Sequence, residues 1–226
     1  MFLHGYLSDK KAFTLQRRFF ENFYDTYAFD FTGFGLNSSM RYAYNLTDYA
    51  LETLEFIDKN NLKNPFVIAH SFGGRVAIKI AGGLEKNAFS KIVLTGSAGL
   101  KKRRTPVRLI KKGYYNIVKN FLSPNKRLKF FSSDYQKLSP VMRESFKLIV
   151  NENLESLAKE ITAKTLIING ENDRETPFYT AKKFNRLIKN SYLYKIKNAG
   201  HFSFLEKPDE FNRITLSFLT DNFSYN

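Results

Sequence analysis

The stretch Ile68-Ala69-His70-Ser71-Phe72-Gly73-Gly74-Arg75 decides how this chain folds. It continues the apolar run Phe66-Val67-Ile68 and leads into residues 72 to about 84, whose apolar residues recur at helical spacing. A serine at such a strand-to-helix turn projects above a sheet edge on a strained backbone, the way nucleophiles are presented. The helix must pack closely under the turn, and Gly73 and Gly74 supply the small neighbours this needs. Ala69 adds one methyl group, which is tolerable where its φ is negative. An ordinary βα connection with Ser71 as helix N-cap uses the same residues, so the stretch needs support from elsewhere in the chain.

Working outward, short apolar runs occur at residues 1–3, 26–31, 65–69, 91–96, 165–169 and 191–196. They are rich in Val, Ile, Phe and Leu and mostly do not alternate, as parallel strands buried on both faces require. Between them lie amphipathic segments. Leu46, Ala50, Leu54 and Ile57 share one helical face, with Asn45 and Asp48 placed as an N-terminal cap. Pro208 opens another helix, with Asp209 and Glu210 at its positive end and Phe211, Ile214, Phe218 and Leu219 as its buried stripe. Alternating strands and helices predict an α/β domain with a mainly parallel sheet flanked by helices.

Residues 101–160 break this rhythm with a basic, aromatic, helix-like pattern and no good strand. Lys101, Lys102, Arg103, Arg104, Arg108, Lys111, Lys112, Lys119, Lys126, Arg127 and Lys129 all precede its first acid, Asp134. The segment reads as a helical cap inserted into a core domain of residues 1–100 and 161–226. Tyr114, Tyr115, Phe121, Phe130, Phe131 and Tyr135 would line an apolar pocket there or form the cap's own core.

A length of 226 residues suits one domain with such an insertion, and 43% hydrophobic content, with 16% aromatic, argues for a packed core. There is no cysteine, which excludes disulfides, thiolate metal sites and a cysteine nucleophile. No apolar run approaches the roughly 20 residues that span a bilayer. Met1 to Gly5 shows no signal-peptide pattern, so the expected location is cytoplasmic. The net charge of +15 fits solvated surface lysines; the alternative is an anionic partner, such as a membrane surface or nucleic acid, at the basic segment. No phosphate-cradling G-x-x-x-x-G-K loop occurs, and three dispersed histidines do not suggest a metal site. No cofactor is expected.

The histidines sharpen the reading. His4 follows the first apolar run, His70 adjoins Ser71, and His201 follows the last run, in Asn198-Ala199-Gly200-His201-Phe202. All three sit at or just past the C-terminal ends of expected parallel strands, the edge where open α/β sheets bind ligands. A serine needs a base, and a histidine base needs an acid to hold its tautomer. Gly170-Glu171-Asn172-Asp173-Arg174-Glu175-Thr176-Pro177 follows a strand and offers Asp173, with Glu171 and Glu175 as alternatives. The loop Thr95-Gly96-Ser97-Ala98-Gly99-Leu100 offers no carboxylate. The order Ser71, Asp173, His201 differs from the two common protease orders and matches that of the α/β-hydrolases. In that order His201 is the expected base, and His70 is only the neighbour of the serine.

The chain resembles the α/β-hydrolase superfamily, in its serine-nucleophile branch with a helical cap between strands six and seven, a branch that holds carboxylesterases and meta-cleavage-product hydrolases. The resemblance rests on FLHGYLSD (2–9), DFTGFG (30–35), AHSFGG (69–74), GENDRETP (170–177) and AGHFSFLEKPDEF (199–211). It implies that the backbone N–H groups of Tyr6 and Phe72 form the oxyanion hole, and that His4 and Gly5 position that loop. It implies hydrolysis of a small or medium ester, with carbon–carbon bond and thioester hydrolysis as rivals on the same triad. A catalytically inactive, binding member with a basic cap is the alternative of another class. Ala69 departs from the family's glycine, and the chain starts inside the strand that the family's hairpin precedes, so either the hairpin strands are absent or the start of the chain is truncated. The loss of that hairpin would leave residues 26–31 as an exposed sheet edge, a route to a homodimer.

Overall fold

The computed structural model describes residues 1–101, 135, 136 and 138–223. The strands are β1 (Phe2–Leu3), β2 (Val67–His70), β3 (Lys91–Thr95), β4 (Lys164–Gly170) and β5 (Ser191–Ile196). They form one sheet in chain order, and every neighbouring pair is parallel.

The register aligns two apolar rows across the sheet. Phe2, Ile68, Val93 and Leu166 lie side by side on one face; Leu3, Ala69, Leu94 and Ile167 lie on the other. Each row is the floor of its own core, which explains why the strands do not alternate with polar residues. The first row packs under Phe13, Phe20, Phe204, Phe211 and Phe218. These come from a turn before α1 (Thr14–Phe20), from α1 itself, and from the two C-terminal helices. The second row packs under helices between β1 and β5, represented by Tyr49, Val76, Ile149, Ala158 and Phe184. Each fully buried large side chain contributes about 1.5–3 kcal/mol relative to exposure.

The helices over the second face are α2 (Leu46–Lys59), α3 (Phe72–Lys79), α4 (Pro140–Asn151), α5 (Glu155–Glu160) and α6 (Phe178–Leu187). The C-terminal helices α7 (Ser203–Glu206) and α8 (Pro208–Leu219) complete the first face. The α2 start is a reciprocal cap: Asn45 Oδ1 accepts from Thr47 and Asp48 N–H, and Asn45 N–H donates to Asp48. A π-helical turn, Ile80–Leu84, ends the helix begun at Phe72. Arg75 is buried in α3 and donates to the carbonyls of Ile149 and Glu152 at the end of α4. Lys79 adds an ion pair to Glu152 at 2.7 Å. Together they tie the end of α4 to the helix that carries the elbow.

Residues 26–31 depart from expectation. Only Ala28 bridges to Phe2, where the apolar run predicts a full edge strand. The reason lies in where the backbone donors go. Phe31 N–H donates to the His4 ring, and Thr32 N–H donates to Glu52. Phe29 stacks on Phe56 of α2 and Phe31 is fully buried, so side-chain packing sets this segment's path. It presents no continuous strand edge to a second chain. Most of the basic, aromatic segment (102–134), with five of the six aromatics named above, lies outside the described residues. Among the described residues, no helix is long and apolar enough to cross a membrane.

Candidate active site

Ser71 is the single residue between β2 and α3. Its φ of 50° and ψ of −103° are unusual for a residue with a side chain, and such a conformation typically stores about 1–3 kcal/mol. The backbone on both sides over-determines it. Ser71 N–H donates to Thr95 O at 3.1 Å, and Ser71 O accepts from Arg75 and Ala98 N–H. Ser71 stands at the N-cap position of α3, but its hydroxyl makes no capping hydrogen bond to the helix, so the side chain is not tied up there. Ala69 is fully buried in β2 and keeps a negative φ, so its methyl group is accommodated in the core.

Gly73 shows why the turn needs a small residue. A Cβ there would lie 2.3 Å from Leu3 O and 2.8 Å from His4 O. This close approach lets Gly73 N–H donate to His4 O at 3.0 Å, joining α3 to the loop after β1. In that loop, Phe31 N–H donates to His4 Nε2 at 3.2 Å, so Nδ1 carries the proton and donates to Gly5 O at 2.8 Å. Burial lowers the His4 pKa and keeps the ring neutral. The backbone N–H groups of Tyr6 and Phe72 have no partner among the described residues. The Tyr6 ring packs edge-on to Phe34, Phe72 and Phe146, and its hydroxyl donates to Met142 O at 3.0 Å. Burial raises its pKa well above the ordinary phenol range.

The loops after β4 and β5 meet at the C-terminal edge of the sheet. Gly170, ending β4, passes so close to the loop after β5 that a Cβ would lie 2.1 Å from Gly200 O. This proximity brings Asp173 Oδ2 to 2.8 Å from His201 Nδ1. The Asp173 side chain is completely buried, whereas that of His201 is 14% exposed. Asp173 Oδ1 accepts from the N–H groups of Glu175 and Thr176, each at 2.8 Å, and Oδ2 also accepts from Thr176 Oγ1 at 2.7 Å. Burial works to raise the Asp173 pKa, but the His201 hydrogen bond and charge and the Thr176 donors together bring it below the ordinary value. Of the alternative acids, Glu171 is exposed and paired with Lys195 at 2.8 Å, and Glu175 is exposed.

His201 is held from several directions. Glu206 accepts from Gly200 N–H at 2.8 Å, fixing the preceding residue. The His70 ring packs 4.7 Å from the His201 ring, and His70 Nε2–H donates to His201 O at 3.1 Å. Burial lowers the His70 pKa to about 3, so that ring acts as a neutral donor. His70 therefore joins the turn at Ser71 to the loop after β5. Its position beside Ser71 gives no hint of this role, because no local signal marks a contact spanning 131 positions. Among the described residues, the contact of Asp173 with His201 is made, and no hydrogen bond links Ser71 Oγ to His201. Such contacts often tighten only when substrate binds. Among the described residues, no group of three His, Asp or Glu side chains is placed to hold a metal.

Comparison with known proteins agrees with this architecture. A model of the alpha/beta hydrolase family matches residues 1–214. AB hydrolase superfamily protein YisY of Bacillus subtilis is 26% identical, with 96% of this chain and 90% of that protein covered. A 2-hydroxy-6-oxo-6-(2'-aminophenyl)hexa-2,4-dienoic acid hydrolase of Metapseudomonas resinovorans is 25% identical over 87% of this chain and 74% of its own length. Among solved structures, an esterase from Exiguobacterium antarcticum superposes with a TM-score of 0.76 at 24% identity, covering 97% of this chain and 90% of that one. With its elbow, its parallel sheet and a family match across nearly its whole length, the chain belongs to the alpha/beta hydrolase family.

Proposed function

We propose that this hydrolase cleaves a small or medium carboxylic ester with Ser71 as nucleophile, His201 as base and Asp173 as orienting acid. The observation that carries the reading is the 2.8 Å bond from His201 Nδ1 to the buried Asp173 carboxylate. It commits Nδ1 as donor and leaves Nε2 as the acceptor for a serine proton. Ser71 Oγ attacks the ester carbonyl as Nε2 takes its proton. The oxyanion develops toward the unpartnered N–H groups of Tyr6 and Phe72; one such donor is typically worth about 3–4 kcal/mol in the transition state. His201 returns the proton to the leaving alkoxide, and water then releases the acyl group by the same steps in reverse roles. The division into a core of residues 1–100 and 161–226 and a cap of residues 101–160 belongs to the same proposal.

The name of the Metapseudomonas relative supports a second reading, carbon–carbon bond hydrolysis of a ring-cleavage product on the same residues. The test is fluorophosphonate labelling with mapping of the modified residue, followed by p-nitrophenyl ester hydrolysis. Labelling at Ser71 and loss of at least about 10³-fold in kcat on Ser71→Ala are expected. Ester hydrolysis that survives Ser71→Ala would refute the nucleophile assignment. Turnover of a vinylogous diketo acid in preference to esters would favour the second reading.

A further inference from the structure

The Asp173 carboxylate has about four acceptor sites, and the structure fills them with four donors. Two of those donors come from Thr176, through its N–H and its hydroxyl. The hydroxyl has one proton. A carboxylate cannot donate, so that proton points to Asp173 Oδ2 at 2.7 Å. Thr176 Oγ1 therefore turns a lone pair outward, and His201 Nδ1 lies 3.4 Å away. Nδ1–H faces two acceptors at once: Asp173 Oδ2 at 2.8 Å and, more weakly, Thr176 Oγ1 at 3.4 Å.

Thr176 is itself well fixed. It is 7% exposed, and its carbonyl accepts from the buried Asn169 side chain at 3.1 Å. Pro177 follows it and restricts its backbone to extended conformations. Its β-branch limits χ1 to few rotamers. The hydroxyl is held at the junction of acid and base by constraints from β4, from the turn and from the start of α6.

We propose that Thr176 is a positioning residue for the reaction, its hydroxyl holding Asp173 Oδ2 and the His201 ring in one plane of approach. The inference rests on the Ser71–His201–Asp173 reading above. The residue has no contact with the reacting atoms and acts through the other two. Without the hydroxyl, Oδ2 loses one of its two donors. The carboxylate charge is then less dispersed and binds the protonated base more tightly, while the ring loses one of its restraints.

The experiment compares wild type, Thr176→Val and Thr176→Ser. Valine keeps the β-branched shape and removes the donor; serine keeps the donor. In Thr176→Val, kcat on p-nitrophenyl butyrate falls roughly tenfold with KM little changed. The acid limb of its kcat/KM profile moves up by about half a pH unit. Thr176→Ser recovers both. In a Ser71→Ala background, where no chemistry occurs, the downfield Nδ1–H proton resonance of His201 shifts in Thr176→Val and returns in Thr176→Ser. Thr176→Ala supplies a second hydroxyl deletion if the valine chain does not fold. A folded hydroxyl-deletion variant with lowered thermal stability but an unmoved acid limb and an unmoved resonance overturns the proposal and leaves Thr176 a structural residue. Failure of fluorophosphonate to label wild-type Ser71 while the resonance still moves refutes the nucleophile reading and upholds the Thr176 linkage.

Discussion

Gly73→Ala is the sharpest test of the elbow, because the structure sets its consequence. The new Cβ would lie 2.3 Å from Leu3 O, 2.7 Å from Leu3 C and 2.8 Å from His4 O. All three are backbone atoms, which cannot swing aside as a side-chain tip does. Ordinary contact begins near 3.4 Å, so α3 and the loop after β1 must separate locally by about 1 Å. That movement lengthens the Gly73 N–H to His4 O bond beyond a good hydrogen bond and draws the Phe72 and Tyr6 N–H groups apart. Overpacking typically costs about 1–3 kcal/mol, and an added lost hydrogen bond puts the expected destabilisation near the top of that range. A misplacement of this size in a catalytic constellation costs on the order of 10²-fold in rate. The assay is a urea midpoint together with kcat/KM for a short p-nitrophenyl ester. A variant with a wild-type midpoint and wild-type kcat/KM would refute the reasoning that the proposed oxyanion pair, the Tyr6 and Phe72 N–H groups, depends on contact at Gly73.

Two further outcomes follow from buried charge. The His70 pKa is lowered by burial to about 3, against roughly 6.5 in an unfolded chain. A depressed histidine pKa means the unfolded state binds the extra proton, so its stability contribution is present above pH ~6.5 and is lost as pH falls toward the folded value. His70→Gln should therefore flatten the decline of Tm between about pH 6.5 and pH 4; an unchanged slope in calorimetry would count against a neutral, buried His70. Arg75 serves the last carbonyls of α4 from inside the protein. Arg75→Ala should lower the urea-derived stability by about 2–3 kcal/mol, and a loss under about 0.5 kcal/mol would show that the clamp is not holding α4.

Much of the fold is legible in the order of residues. The strand rows at Phe2, Ile68, Val93 and Leu166 are legible because burial on both faces leaves a continuous apolar run. The α2 cap is legible because Asn45 and Asp48 act within one turn of each other. Residues 26–31 read as a strand because their composition is strand-like, and composition does not say where a backbone donor goes. Phe31 N–H goes to His4, 27 positions away, and Thr32 N–H to Glu52, 20 positions away. Thr176 does not stand out in the sequence although it lies three residues from Asp173, because a threonine before proline is also an ordinary turn residue.

The division between the two levels follows the range of the interactions. The sequence alone determined the order of the five strands that form the sheet and of the helices around them, apart from residues 26–31, together with the strand-to-helix turn that bears Ser71 and the presence of an acid and a histidine after later strands. Each follows from local periodicity, turn chemistry or residue type. Only the tertiary structure decided that Asp173, and not Glu171, meets His201, because that choice depends on how closely β4 and the loop after β5 approach at Gly170. It also decided the role of His70, whose 3.1 Å bond to His201 O exists because parallel strands bring their C-terminal ends to one edge of the sheet.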